Sequence, residues 1–274
     1  MNIQEFIPDD NQPEKWVERL ARFGYAAKGI VYMIIGLLAV MAALDWGGRI
    51  TGTEGAFQTI ASQPFGKVML FLVAVGLAGY VLWQFVQAIK DPEHRASGAS
   101  GIGRRLSYAV SGLIYAGLAF SALKVVFAQG TGDGGSGSQQ QTATLLSQPF
   151  GQWLVAAVGA ASIAYGCFAF YYAYSKQFRR ALKLGEMSAS TEKWMVRISR
   201  FGYTAKGVVA FIIGYFFIQA ARASDASQAG TTETALQAIQ QRPHGAWLMG
   251  IVALGLIAYG IHLEFQARYR RISP

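Results

Sequence analysis

Six charge-poor apolar runs, at residues 23–44, 68–89, 106–127, 153–174, 201–221 and 247–265, constrain this chain more than any other feature of it. Each holds 19 to 22 residues. As a helix rising about 1.5 Å per residue, such a run covers roughly 28 to 33 Å, the thickness of a hydrocarbon core. One run of this kind could be a buried helix of a soluble domain. Six in one chain of 274 residues, of which only 14% are charged, point to an all-α polytopic membrane protein with six transmembrane helices. The single cysteine, Cys167, rules out a disulfide within the chain, and 13% aromatic residues rule out intrinsic disorder. The segment before the first run carries Asp9, Asp10, Glu14 and Glu18 and lacks the apolar stretch of a signal peptide, so the first span is expected to be retained.

The distribution of the 24 Lys and Arg residues predicts orientation. The amino-terminal segment, the second and fourth loops and the tail together hold seventeen, from Lys15, Arg19 and Arg22 through Lys90, Arg95, Arg104 and Arg105 to Arg268, Arg270 and Arg271. The other side has five: Arg49, Lys67, Lys124, Arg222 and Arg242. An excess of that kind marks the cytoplasmic side, so both termini are expected there, with residues 130–138 outside. The net charge of +9 is therefore a topology signal. Anionic lipid headgroups are its expected partners, at about 1 kcal/mol per basic residue near the surface, and nucleic acid is not.

The chain also repeats itself. Arg22-Phe23-Gly24-Tyr25-Ala26-Ala27-Lys28-Gly29 returns as Arg200-Phe201-Gly202-Tyr203-Thr204-Ala205-Lys206-Gly207, with a weaker middle copy Arg105-Leu106-Ser107-Tyr108-Ala109-Val110-Ser111-Gly112. A second marker follows each: Pro64-Phe65-Gly66, Pro149-Phe150-Gly151 and Pro243-His244-Gly245, with Tyr80, Tyr165 and Tyr259 sixteen residues beyond each proline. The repeats, 16–93, 102–183 and 194–271, read as three parallel helical hairpins of one membrane domain spanning residues 1–274, packed around a pseudo-threefold axis. Proline suits the first turn of a helix. Between the two spans, Thr51-Gly52-Thr53-Glu54 carries a capping signature that predicts a short helix at the outer interface, with residues 232–239 as its counterpart. Residues 130–138 of the middle repeat are Gly/Ser-rich and read as a flexible insert in which Asp133 has no ligand role. Small residues at four-residue spacing, among them Ala156, Ala160 and Ala164, predict close helix packing, most of all around the fourth span.

These motifs resemble those of the bacterial and cyanobacterial membrane-protein family known as domain of unknown function 1206, over nearly the whole chain from about Trp16 to Arg271. The resemblance implies location in a bacterial inner membrane, or in a thylakoid if the source is cyanobacterial, and transfers no activity. The middle copy departs from the pattern, with Ser111 where the others have lysine.

Four intramembrane residues are candidates for ligand binding or ion pairing: Lys28, Lys206, Glu264 and His262. The lysines lie six residues, roughly 9 Å, beyond Arg22 and Arg200 and could snorkel back to the interface. Glu264 lies at the depth of Lys206, and isolated charges in a bilayer cost about 2.5 to 3.5 kcal/mol each, which predicts a Lys206–Glu264 ion pair. His262 is the one histidine in a span, so a bis-histidine haem between helices is disfavoured, and no other cofactor and no metal site is expected. Cys167, mid-span, reads as a packing residue. Tyr80, Tyr165 and Tyr259, with Trp16, Trp46, Trp153, Trp194 and Trp247, read as an interfacial belt and helix packing. No nucleophile elbow, phosphate loop or carboxylate pair is present, so no enzyme is expected. The leading reading is a structural or partner- or lipid-binding membrane subunit, either with a protein partner or as a homo-oligomer. The alternative is a channel or carrier for a small anion or proton using Lys28, Lys206 and Glu264. The two differ in whether the lysines face a cavity or face lipid and Glu264.

Overall fold

A computed structural model describes residues 12–90, 99–127, 136–175 and 187–270. Asp9, Asp10, Asp133, His94 and the basic residues Arg95, Lys176, Arg179, Arg180, Lys183 and Arg271 lie outside the described residues. The described chain forms α1 (Gln12–Ala43), α2 (Thr53–Ala61), α3 (Gly66–Lys90), α4 (Ala99–Phe127), α5 (Ser136–Leu146), α6 (Gly151–Ser175), α7 (Ala189–Ala223), α8 (Thr232–Gln240) and α9 (Gly245–Tyr269). Each repeat is thus a long, a short and a long helix. The six long ones are long and apolar enough to cross a membrane, where a helix satisfies its backbone polar groups internally.

The middle repeat has a short helix like the others. α5 begins at Ser136, inside the segment expected to be a flexible insert, and residues 128–135 lie outside the described residues. The Thr51 capping box does not form: Gly52 caps α2 with no side-chain bond, and the box appears instead on α8 between Thr231 and Thr234. Nor do α2 and α8 lie flat on lipid. Phe57 of α2 and Leu236 of α8 are fully buried beside Ile35, Leu70, Met249 and Leu256, so the short helices turn their apolar faces into the bundle and fill its half distant from the termini.

The proline marker works differently from its expected role in the first helical turn. Pro64 precedes a residue in the left-handed region, Phe65 at φ 60°, and Phe150 and His244 repeat this at φ 65° and 59°. The next residue must be glycine, because a β-carbon on Gly66, Gly151 or Gly245 would lie 2.6 to 2.7 Å from a carbonyl oxygen of the preceding short helix. Phe65 and Phe150 are left exposed at the tip of the turn.

Long helices pack in a series, with the second long helix of each repeat against the first of another: α3 on α4, α6 on α7, and α9 on α1. These contacts are close because small residues face each other. A β-carbon on Gly29 would stand 2.9 Å from the Gly260 carbonyl oxygen, and one on Gly159 2.9 Å from that of Gly214. Within repeats, α1 packs on α3 and α7 on α9, but no comparable contact joins α4 to α6. The fourth span is accordingly peripheral, contrary to expectation. Ala157, Ala160, Ala161 and Ala164 are exposed, as is Cys167, and only one face of α6, with Val155, Gly159, Gly166 and Ala169, is buried.

At the end nearest the termini an arginine from the first helix of a repeat caps the last helix of another. Arg22 donates to the carbonyls of Ala267 (2.8 Å) and Arg268 (2.6 Å) in the last turn of α9 and of Arg270 (3.2 Å) just beyond it, and pairs with Glu18 at 2.7 Å. Arg105 does the same for Ala88 (2.7 Å) and Ile89 (2.8 Å) of α3. A cation at these orphan carbonyls satisfies hydrogen bonds and opposes the negative end of the helix dipole.

A candidate site: two lysines in a tyrosine cluster

Lys28 and Lys206 occupy equivalent places on α1 and α7, and neither snorkels to the interface. Lys28 is buried and Lys206 half-buried. Lys28 Nζ donates to the Tyr80 hydroxyl at 3.1 Å, and Lys206 Nζ donates to the Tyr259 hydroxyl at 2.9 Å. The same lysine-to-tyrosine unit is therefore built twice, each time across one hairpin.

The ammonium groups also lie against aromatic rings. Lys28 Nζ is 4.4 Å from the Tyr80 ring centre and 4.1 Å from that of Tyr115 on α4. Lys206 Nζ is 4.2 Å from Tyr259, 4.8 Å from Tyr32 on α1 and 5.5 Å from Tyr165 on α6. The rings support one another edge to face, with centres 5.2 Å apart for Tyr25 and Tyr80, 4.8 Å for Tyr80 and Tyr115, and 4.9 Å for Tyr32 and Tyr259. Each such contact over a desolvated cation is worth up to about 2 kcal/mol, which offsets part of the cost of holding ammonium groups in a bilayer.

Tyr80 and Tyr259 are buried packing residues, as expected, rather than belt residues, and they also bond the lysines, while Tyr165 is exposed and meets Lys206 through its ring. Tyr32 and Tyr115 were not singled out at all. Their common signal is a place seven residues after the repeating tyrosine of the opening motif, Tyr25 and Tyr108, on the same helix face. The five exposed tryptophans near helix ends, Trp16, Trp46, Trp153, Trp194 and Trp247, fit a belt.

The expected Lys206–Glu264 ion pair is absent, and among the described residues neither lysine meets a carboxylate. Glu264 follows Tyr259 by five residues, about 140° further around α9. That rotation carries it away from α7 and against α1, where its Oε1 is buried without a hydrogen-bond partner and would lie 2.6 Å from a β-carbon on Gly29. His262 is also committed elsewhere. Its Nδ1 lies 2.6 Å from the Ser199 hydroxyl, and its ring meets Tyr203 edge-on at 5.0 Å, at the place of the buried Trp83 in the first repeat. It is a packing residue of the α7–α9 hairpin, next to the lysine pair rather than part of it.

The surroundings of the pair are unequal at its two ends. Toward the termini Arg270 bonds the Tyr25 hydroxyl, and its guanidinium lies 4.9 Å from that ring centre. Toward α2 and α8 the interior is the packed apolar core. A cavity of about 20 Å³ beside Lys28, bounded by Tyr32, Thr53, Leu77, Tyr115 and Leu118, has room for about one water.

These features define a class: a six-helix polytopic membrane protein assembled from three hairpin repeats, with two lysines bonded to tyrosine hydroxyls in its interior. The chain belongs to the family described as Domain of Unknown Function (DUF1206), whose model matches three times, at residues 23–91, 106–176 and 201–270. It is 34% identical over 267 residues to Uncharacterized protein YxxB of Bacillus subtilis (strain 168), covering 97% of this chain and 95% of that protein. No solved structure matches it.

Proposed function

We propose that the protein is a non-enzymatic binding protein of the bacterial plasma membrane whose ligand is an anion held at Lys28 and Lys206. One observation carries this reading: two ammonium groups are brought into the membrane interior on tyrosine hydroxyls, with no carboxylate beside them among the described residues. Two cations in low dielectric raise each other's cost, and an anion between them lowers both. The tyrosines add hydroxyl donors and ring faces that orient a small oxyanion. A channel is the weaker reading, because the half of the bundle beyond Lys28 is filled by Ile35, Phe57, Leu70 and Leu236. In this proposal both termini face the cytoplasm, where the seventeen basic residues meet anionic headgroups, and the three hairpins surround a common axis.

Thermal unfolding of the detergent-purified protein in sodium phosphate, against chloride at equal ionic strength, tests the reading. Phosphate is expected to stabilise the protein, by about 2.7 kcal/mol at one hundred times its dissociation constant. The double variant Lys28→Met/Lys206→Met is expected to lose that gain while keeping its helix content. An equal phosphate response in the variant would contradict the proposal.

A further inference from the structure

The middle repeat lacks the residues that close a hairpin, and the two helices this leaves apart are those whose Tyr115 and Tyr165 meet the lysine pair. In the first repeat Gly24 sits on α3, where a β-carbon would lie 2.6 Å from the Tyr80 backbone nitrogen and 2.7 Å from the Gly76 oxygen. In the third repeat a β-carbon on Gly202 would lie 2.5 Å from the Tyr259 nitrogen, and Gly255 packs on Ala205. The middle repeat has Ser107 in place of these first glycines and Ala161 in place of Gly76 and Gly255. Both add atoms where the others have no room, so α4 and α6 cannot meet as α1 and α3 do. Their would-be contact faces are exposed. Val110 is 47% and Ile114 59% accessible, where Ala27 and Val31, their equivalents on α1, are 4% and 3%. On α6 Val158 is exposed, and Tyr165 is 39% accessible where Tyr80 is buried.

The cleft between these helices has apolar walls, and behind it lie the half-buried Lys206 and the buried Lys28. Each wall helix sends one tyrosine to one ammonium group, Tyr115 from α4 to Lys28 and Tyr165 from α6 to Lys206. The cleft opens sideways into the bilayer. The other approaches are obstructed, on one side by the apolar core and on the other by Arg270 on Tyr25.

We propose that an anionic phospholipid enters between α4 and α6, its phosphate drawn to Lys28 and Lys206 and an acyl chain lying along Val110, Ile114 and Val158. The proposal rests on the anion-binding reading above and names its ligand. Charge complementarity selects the headgroup, and the apolar walls select a ligand that arrives from the membrane rather than from water.

Native mass spectrometry of the full chain released from nanodiscs containing equal phosphatidylglycerol and phosphatidylcholine tests this, with three proteins compared. The wild type is expected to retain phosphatidylglycerol at least about tenfold over phosphatidylcholine, a difference of about 1.4 kcal/mol. Lys28→Met/Lys206→Met is expected to lose the preference. Val110→Trp/Ala161→Trp, which fills the cleft from both walls, is expected to lose the lipid while keeping its helix content. Should that variant fail to fold, Val158→Trp alone, on an already exposed position, gives the same comparison. Equal retention of both lipids, retention of phosphatidylglycerol by a folded cleft variant, or a dimer in place of a lipid adduct would overturn the proposal. If phosphate still stabilises the wild type and not the lysine variant, the anion site stands and only the lipid is excluded; if phosphate has no effect either, both readings fall.

Discussion

In the first and third repeats a glycine on the leading helix rests against the backbone of its partner, and one turn further on a lysine gives its ammonium to the partner's tyrosine. In the middle repeat those positions hold Ser107 and Ser111, and the partner's tyrosine, Tyr165, turns to Lys206 of the next repeat. The loss of close approach and the loss of charge therefore coincide in one repeat. Two hairpins carry tight packing and the cations, while the third leaves an entrance. A repeat architecture permits this because each hairpin also packs against its neighbours, through α3 on α4 and α6 on α7, so an open hairpin is still held on both sides.

The sharpest way to break this comparison is to put the same bulk into a closed and an open hairpin. Gly202→Leu forces a side chain into the Tyr259 backbone and is expected to cost about 3 kcal/mol or more, or to prevent folding. Ser107→Leu, on an exposed face, should stay within about 0.5 kcal/mol. Thermal unfolding in detergent checks both, and equal losses would mean that α4 and α6 do meet.

Much of this contrast could be read in the chain itself. Apolar length and repeat offset run along the sequence, so the spans, the three hairpins and the membrane setting were legible from residues such as Pro64, Pro149 and Pro243. Azimuth was harder. Glu264 and Lys206 match in depth, yet five residues past Tyr259 the helix has turned the carboxylate toward α1. The lysine partners were in view as Tyr80 and Tyr259, recurring at fixed offset, but a tyrosine in a span serves a belt, a core or a site equally well until the helix rotation is known. The opening at α4 and α6 had a signal too, in Ser107 and Ala161 standing where glycine stands elsewhere. The small residues of α6 obscured it, because alanine at four-residue spacing marks a close contact only when another helix is there.

A second contrast concerns the arginine caps. Arg22 reaches three carbonyls and Glu18 in a half-buried setting, while Arg105 reaches two carbonyls in an exposed one. Arg22→Ala is expected to cost about 1.5 to 3 kcal/mol, and Arg105→Ala about 0.5 to 1 kcal/mol after screening by water. Unfolding midpoints in matched detergent rank the two, and a reversed order would place the tighter seam at α3 and α4.

The smallest expected effect is on the outer face of α6. Ala160→Leu should change stability by less than about 0.5 kcal/mol, since the residue is exposed. Its neighbour Gly159, 2.9 Å from the Gly214 oxygen at the β-carbon position, should not tolerate leucine. A loss at Ala160 comparable with that at Gly159 would show that something covers this face in the membrane.

The open middle hairpin is tested most directly by oxidative cross-linking in native membranes, on a Cys167→Ser background. Three equivalent cysteine pairs are compared, at valine and isoleucine positions that leave the tight glycines untouched: Val31→Cys/Val73→Cys, Ile114→Cys/Val158→Cys and Val209→Cys/Val252→Cys. The first and third pairs are expected to form disulfides, because those helices are in contact, and the middle pair is expected to stay reduced, because helices held apart cannot bring two thiols into bonding geometry. Cross-linking of the middle pair as readily as of the other two would show three closed hairpins and no lateral path to the lysines.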